Sequence, residues 1–185
     1  MTDFKVHGIS YPLKRLPTLG EGHCFIHAIL QATYREYRRS CNHRRIKLVK
    51  DYRRGLARRL SQVYDQYPEY AAVVVDNIGP GELSFDKKSL MRHLASDDYL
   101  GEELIRFVSD QLDKDIYLLD LETHDIKAVG WDPATLYRGR PSIIIVYTIE
   151  HYETVAVFSQ STGQYETILS PDHPLIIELR SRVST

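Results

Sequence analysis

A cysteine at the start of an apolar helical pattern is the residue of this 185-residue chain best placed to do chemistry. It stands in Gly20-Glu21-Gly22-His23-Cys24-Phe25-Ile26-His27-Ala28, and Phe25, Ala28, Ile29 and Ala32 then fall on one helical face. That spacing puts Cys24 at a helix N-terminus. Unpaired backbone N–H groups there carry partial positive charge, which favours thiolate over thiol and lowers a cysteine pKa from about 8.5 toward neutrality. The same N–H groups suit a developing oxyanion, and Gly20 and Gly22 let the backbone turn sharply and approach a substrate closely. The bland alternative is a small buried cysteine that opens a core helix.

A thiol nucleophile needs a base, and His151 is the candidate. It follows Ser142–Ile149, a run almost wholly β-branched and apolar that reads as a strand buried on both faces. A helix beginning at Cys24 and laid against a sheet centred on that strand brings the two residues together despite their separation in sequence. Imidazole then takes the thiol proton, the sulfur attacks a carbonyl, and the imidazolium protonates the leaving amine. A third group usually orients such an imidazole.

The elements that must position this pair follow from periodicity and breakers. Met1 to Leu19, interrupted by Pro12 and Pro17, reads as an extended or looped entry. The helix from Cys24 is expected to reach about Arg39. Ser40-Cys41-Asn42 then offers a cap for a second helix carrying Ile46, Val49, Leu56, Leu60 and Val63, which runs to about Pro68. Tyr70 to Val75 is of undecided type, and Asn77 to Gly81 reads as a loop. Lys87 to Ala95 and the stretch from Gly101 through Leu112 read as helices, Asp115 to Leu121 as a strand, Glu122 to Asp125 as a turn, and Trp131-Asp132-Pro133 as part of a polar connection. Thr154–Phe158 and Tyr165–Leu169 read as hairpin partners, and His173 to Val183 as a last helix or strand. Helices first and strands last indicate one α+β or α/β domain over residues 1–185.

Composition narrows the function classes. Hydrophobic content of 43% and charged content of 26% are ordinary for a globular protein, and no apolar run nears the roughly 20 residues that span a bilayer. An N-terminus without an apolar core and only two cysteines favour a reducing, cytoplasmic setting. Net charge is −1, yet residues 35–59 hold eleven of the 24 basic residues and two of the 25 acidic ones, so the remainder is acidic. The histidines show no metal-ligand spacing, and no cofactor is expected. His27 reads as structural, and Cys41 as an inert or exposed thiol.

Gly-Glu-Gly-His-Cys-Phe-Ile-His-Ala resembles the cysteine loop of OTU (ovarian tumour) deubiquitinases, commonly Asp-Gly-Asn-Cys-Leu-Phe-x-Ala. Glu150-His151-Tyr152-Glu153-Thr154-Val155 resembles that family's histidine motif, His-Tyr-Asp/Asn-Ser-Val. Tyr99-Leu100-Gly101-Glu102-Glu103-Leu104 is similar to its Trp-Gly-x-x-x-Glu-Leu helix entry. Departures are Glu21 for the usual Asp, Glu153 for Asp or Asn, and Leu100 for an aromatic residue. The resemblance implies a papain-like OTU fold with a mixed sheet flanked by helices. It implies a thiol protease that hydrolyses the isopeptide bond at the C-terminus of ubiquitin or a ubiquitin-like modifier. Cys24 would be nucleophile, His151 base and then acid, Glu153 the orienter, and backbone N–H groups of the Glu21–Gly22–His23–Cys24 loop the oxyanion hole.

Partners follow from the same resemblance: a monomer that takes ubiquitin, polyubiquitin chains or ubiquitin-like modifiers, with neither membrane nor nucleic acid, in the cytoplasm of the source or of a host. The basic tail of ubiquitin must reach Cys24, which makes Asp98, Glu102 and Glu150 candidates for binding it. Two other readings stand beside this one. An inactive OTU-like module would bind ubiquitin without cleaving it, which the intact Cys/His pair opposes. A nucleic-acid-binding domain would use the basic helix 44–59 on phosphates, but no aromatic platform accompanies that helix.

Overall fold

Apolar periodicity switches between helical and strand spacing along the chain, and the elements follow it. The computed structural model describes residues 1–6, 9, 11–20, 22–67, 69, 87–100, 104–129, 138–149 and 151–183. In chain order they form β1 (Thr2–Phe4), β2 (Leu13–Leu16), α1 (Cys24–Thr33), α2 (Arg35–Arg39), α3 (Asn42–Gln66), α4 (Lys87–Ala95) and α5 (Ile105–Leu112). Then come β3 (Asp115–Asp120), β4 (Ile126–Val129), β5 (Ser142–Thr148), β6 (His151–Ser159), β7 (Gln164–Glu166) and α6 (Pro174–Arg182). No helix among the described residues is long and apolar enough to cross a membrane.

The strands make one mixed sheet in the order β1-β2-β6-β5-β3-β4, with β7 also on β6. β3 and β5 are parallel, and the other pairs are antiparallel. Strand period explains the layering. Ile116, Leu118, Ile143, Ile145 and Tyr152 point to the layer of α1, α3, α4 and α5. Their alternates Tyr117, Leu119, Ile144, Val146, Val155 and Val157 pack with Leu175, Ile176 and Leu179 of α6. β5 is therefore buried on both faces, as its apolar run predicts.

α1 is more central than a one-faced helix. Cys24 to Leu30 are all buried, and only Gln31 and Thr33 reach intermediate exposure. It also stops short of the expected Arg39. Tyr34 is extended, and the orphan carbonyls of the last turn go to side chains: Arg38 donates to Gln31 O and Ala32 O at 3.1 and 3.0 Å, and Thr167 to Ala32 O at 2.6 Å. α2 follows as a separate short helix. Asn42–Gln66 matches the second predicted helix closely.

Three further expectations change. The entry before Leu19 contains two strands, and β2 pairs along β6 with Leu16 opposite Thr154. β6 begins at His151 rather than Thr154, so the histidine opens a strand instead of following one. The helix placed after Gly101 begins at Ile105, with residues 101–103 outside the described set, as are 70–86 and Trp131-Asp132-Pro133. A hairpin partner is found at Gln164–Glu166, and Leu169 bridges to Ser142. At the entrance to β3 the guanidinium of Arg140 donates twice to Asp115 Oδ1, at 3.0 and 2.8 Å. Burial pushes that carboxyl up while Arg140 pulls it down.

Candidate active site

α1 lies over the start of β6, tied there by Thr154 Oγ1 donating to Ala28 O at 2.7 Å and by the Phe25 and Tyr152 rings at 5.4 Å. Cys24 opens that helix and is 2% exposed. Backbone N–H groups of Tyr152, Phe25 and Cys24 favour the thiolate, as a helix start should. Burial outweighs them. The Cys24 thiol is pushed up from its ordinary value, which corrects the expectation of a depressed pKa: loss of water around the sulfur costs the anion more than the helix end returns. The Tyr152 contact also places the sulfur beside the residue that follows His151.

The loop before Cys24 is gripped from behind. Gly22 sits at φ +75°, and a Cβ there would lie 2.9 Å from Asp97 O and 3.4 Å from Tyr99 N, so backbone packs where a side chain would stand. His23 does not line an open site. It is buried, with Arg53 Nη1 donating to its Nδ1 at 2.7 Å and Asp97 Oδ1 3.4 Å from its Nε2. Burial first, then the Arg53 charge, holds its pKa below the ordinary value, against the pull of Asp97. His27 is also neutral and buried, its Nδ1 2.6 Å from Tyr37 Oη; burial, then the charges of His23, Arg45 and His151, pushes it down to about 4.

His151 is half-buried, and its Nε2 faces two oxygens: Thr18 Oγ1 at 3.3 Å and Glu153 Oε1 at 3.8 Å. The Thr18 hydroxyl proton is already given to Tyr152 O at 2.6 Å. Toward His151 that oxygen can only accept, so the neutral ring carries its hydrogen on Nε2 and leaves the Nδ1 lone pair as the base. Glu153 favours the same tautomer. Its other oxygen takes a hydrogen bond from Arg15 Nε at 2.5 Å, which fixes the carboxylate, and the 3.8 Å to His151 makes its effect electrostatic.

Of the sequence candidates, His151 and Glu153 face each other at the head of β6, and Cys24, at the head of α1, touches the Tyr152 backbone between them in sequence, with Gly22 and His23 just before it in the chain. Glu21, Glu102 and Glu150 lie outside the described residues. Asp98 does not cap the helix that starts at Ile105. Its side chain is 73% exposed, accepts from the Ser96 hydroxyl at 2.9 Å, and lies 3.9 Å from His93. Cys41 is exposed and free. Among the described residues no group of three or more His, Cys, Asp or Glu could hold a metal.

The basic helix is largely occupied by its own protein. Arg44 pairs with Glu36, Arg45 bonds Tyr37 O and Arg38 O, Lys50 pairs with Asp97, Arg53 is fully buried, and Arg54 reaches Asp51. Sequence reasoning missed Arg15, Thr18 and Arg53. Only Arg53 left a signal, a cation at i+4 from Val49 and i−3 from Leu56 on the apolar stripe of α3.

No family model matches this chain, and no curated protein is similar in sequence. Solved structures are similar in fold. An ovarian tumour (OTU) domain in complex with ubiquitin superposes with a TM-score of 0.63 at 15% identity, over 98% of this chain and 88% of that one. The fold is OTU-like. The OTU domain of OTUD1 gives 0.53 at 16% identity over 77% of this chain and 85% of its own, and the Hazara virus OTU bound to ubiquitin gives 0.48 at 15% over 86% and 96%. At such identity the likeness is one of architecture, and the OTU-like fold here places Cys24 at the head of its central helix and His151 at the head of the strand beneath it.

Proposed function

We propose that this OTU-like domain is a thiol-dependent deubiquitinase, hydrolysing isopeptide bonds at the C-terminus of ubiquitin or a ubiquitin-like modifier. The observation that carries the reading is the tautomer of His151. A ring whose Nε2–H is held by Thr18 and Glu153 keeps its Nδ1 lone pair as the base, and the buried thiol lies against the backbone of Tyr152, the next residue along β6. The solved OTU domain bound to ubiquitin suggests the substrate class.

Cys24 rests as a thiol in this reading, because burial opposes the free thiolate. His151 Nδ1 takes its proton as the sulfur attacks the glycine carbonyl, so charge develops only as the reaction proceeds. Backbone N–H groups of the Gly22–Cys24 loop receive the oxyanion. The imidazolium, stabilised by Glu153, gives the proton to the leaving lysine amine as the C–N bond breaks, leaving a thioester. Water then gives a proton to His151, attacks the thioester, and releases the carboxylate while the sulfur takes the proton back. Among the candidates for gripping the ubiquitin tail, exposed Asp98 belongs to the 97–99 segment against which Gly22 is seated, while in sequence Glu102 lies four residues beyond it and Glu150 directly before His151.

Incubation with ubiquitin bearing a C-terminal electrophile tests this. The expected product is one ubiquitin attached at Cys24 and none at exposed Cys41. Labelling of Cys41 alone, or of neither thiol, would overturn the reading, and ubiquitin binding without attachment would favour the inactive module.

A further inference from the structure

We infer that Arg53 is a positioning residue, which sets the geometry of the cysteine loop by donating to His23; this rests on the function proposed above for Cys24. Arg53 is 0% exposed and makes four hydrogen bonds. Nε donates to Leu94 O at 2.9 Å and Nη2 to His93 O at 3.0 Å, both at the C-terminal end of α4, where the carbonyls carry partial negative charge. Nη1 donates to Asp98 O at 2.8 Å and to His23 Nδ1 at 2.7 Å. Gluing α3 to α4 uses the first two bonds. The Nη1 bond to His23 adds nothing to that and reaches the residue before the nucleophile.

A guanidinium cannot accept, so His23 must present a lone pair at Nδ1 and carry its hydrogen on Nε2, toward Asp97. The ring is then held at both nitrogens. Among the described residues the charged or titratable groups facing it are Arg53 and Lys50 from α3, which disfavour its protonated form, Asp97 from the bend after α4, which favours it, and His27 from α1. Lys50 in turn donates to Asp97 Oδ2 at 2.7 Å. The segment whose carbonyl Arg53 grips, residues 97–99, is also the one against which Gly22 is seated. Arg53 thus braces the loop on both sides, through the His23 side chain and through the wall behind Gly22. A lysine, with three donors on one point, cannot span these partners.

The test uses R53K, H23L, H23N and the R53K/H23L pair, all in a Cys41→Ser background. It reads the pH midpoint of Cys24 alkylation by iodoacetamide, the melting temperature, and kcat per titrated active site. H23L leaves one of the two Nη1 hydrogens without its acceptor while the other stays on Asp98 O, so its midpoint should move up and its kcat fall about tenfold with KM little changed. R53K should move both in the same direction. H23N, whose Oδ1 can replace Nδ1, should recover most of what H23L loses, and the pair should be no worse than the poorer single variant. A lowered melting temperature with an unmoved midpoint would reduce Arg53 to helix glue, and additive losses in the pair would show that it does not act through His23. If R53K does not fold, H23L against H23N decides alone: equal midpoints overturn the inference. Alkylation needs no ubiquitin, so these midpoints stay readable even if the parent cleaves no ubiquitin chain.

Discussion

The two halves of the site are built in opposite ways. The thiol half is buried, framed by α1, by Arg53 and by a glycine pressed against backbone, with its histidines neutral. The imidazole half is partly open to water and held by side chains alone: Thr18, Glu153, and Arg15 behind Glu153. Under the proposed mechanism the difference divides the work: a thiol out of water resists ionising, so the imidazole would take its proton only as the sulfur attacks.

If that division holds, the imidazole half should respond in steps. His151→Ala removes the base and is expected to lower kcat by at least about 10²–10⁴-fold. Glu153→Ala should cost roughly ten- to a hundredfold and leave a measurable rate, since Thr18 still holds Nε2. Equal, total losses in steady-state assays would mean that Thr18 does nothing for the tautomer, and an unchanged Glu153→Ala rate would leave Thr18 as the only orienter.

The thiol half should instead show itself in stability against pH. His27 is pushed down to about 4 when folded, against an ordinary 6.5. The unfolded chain therefore takes up a proton that the folded one refuses, and stability falls as pH drops from about 6.5 toward 4, by up to about 3 kcal/mol, levelling off below. His23, shifted the same way, adds to the slope. Urea midpoints between pH 7 and 4 measure this, and His27→Gln should flatten the curve. An equal slope in that variant would remove His27 as the cause.

These asymmetries explain what the sequence could and could not convey. The strand Ser142–Thr148 and the helix head at Cys24 are local patterns, since apolar period and glycine placement depend on near neighbours, and both were legible. The strand beginning at His151 was not, because polar residues at 151 and 153 mask its alternation and pairing to β2 and β5 settles it. Arg15 and Thr18 lie in a proline-interrupted stretch whose strand, Leu13–Leu16, is fixed by pairing to β1 and β6, one of them far away in sequence. The sign of the Cys24 shift is hidden from the sequence for the same reason: the helix end is local, whereas burial comes from the whole fold.

The rim between the halves should give the smallest effect. Asp98→Asn, at an exposed carboxylate, is expected to raise KM a few-fold at low salt if it meets the basic ubiquitin tail, with the difference fading as salt is added. An unchanged KM at low ionic strength would take Asp98 off the recognition surface.

Cleavage of di-ubiquitin by the parent, Cys24→Ala and Cys41→Ala proteins, with circular dichroism recorded on each, tests the central claim most directly. Cys24→Ala should be folded and inactive, with binding of ubiquitin retained, and Cys41→Ala should cleave at the parent rate, since Cys41 is an exposed thiol at the start of α3. A folded Cys24→Ala protein that still cleaves would contradict the thiol mechanism outright.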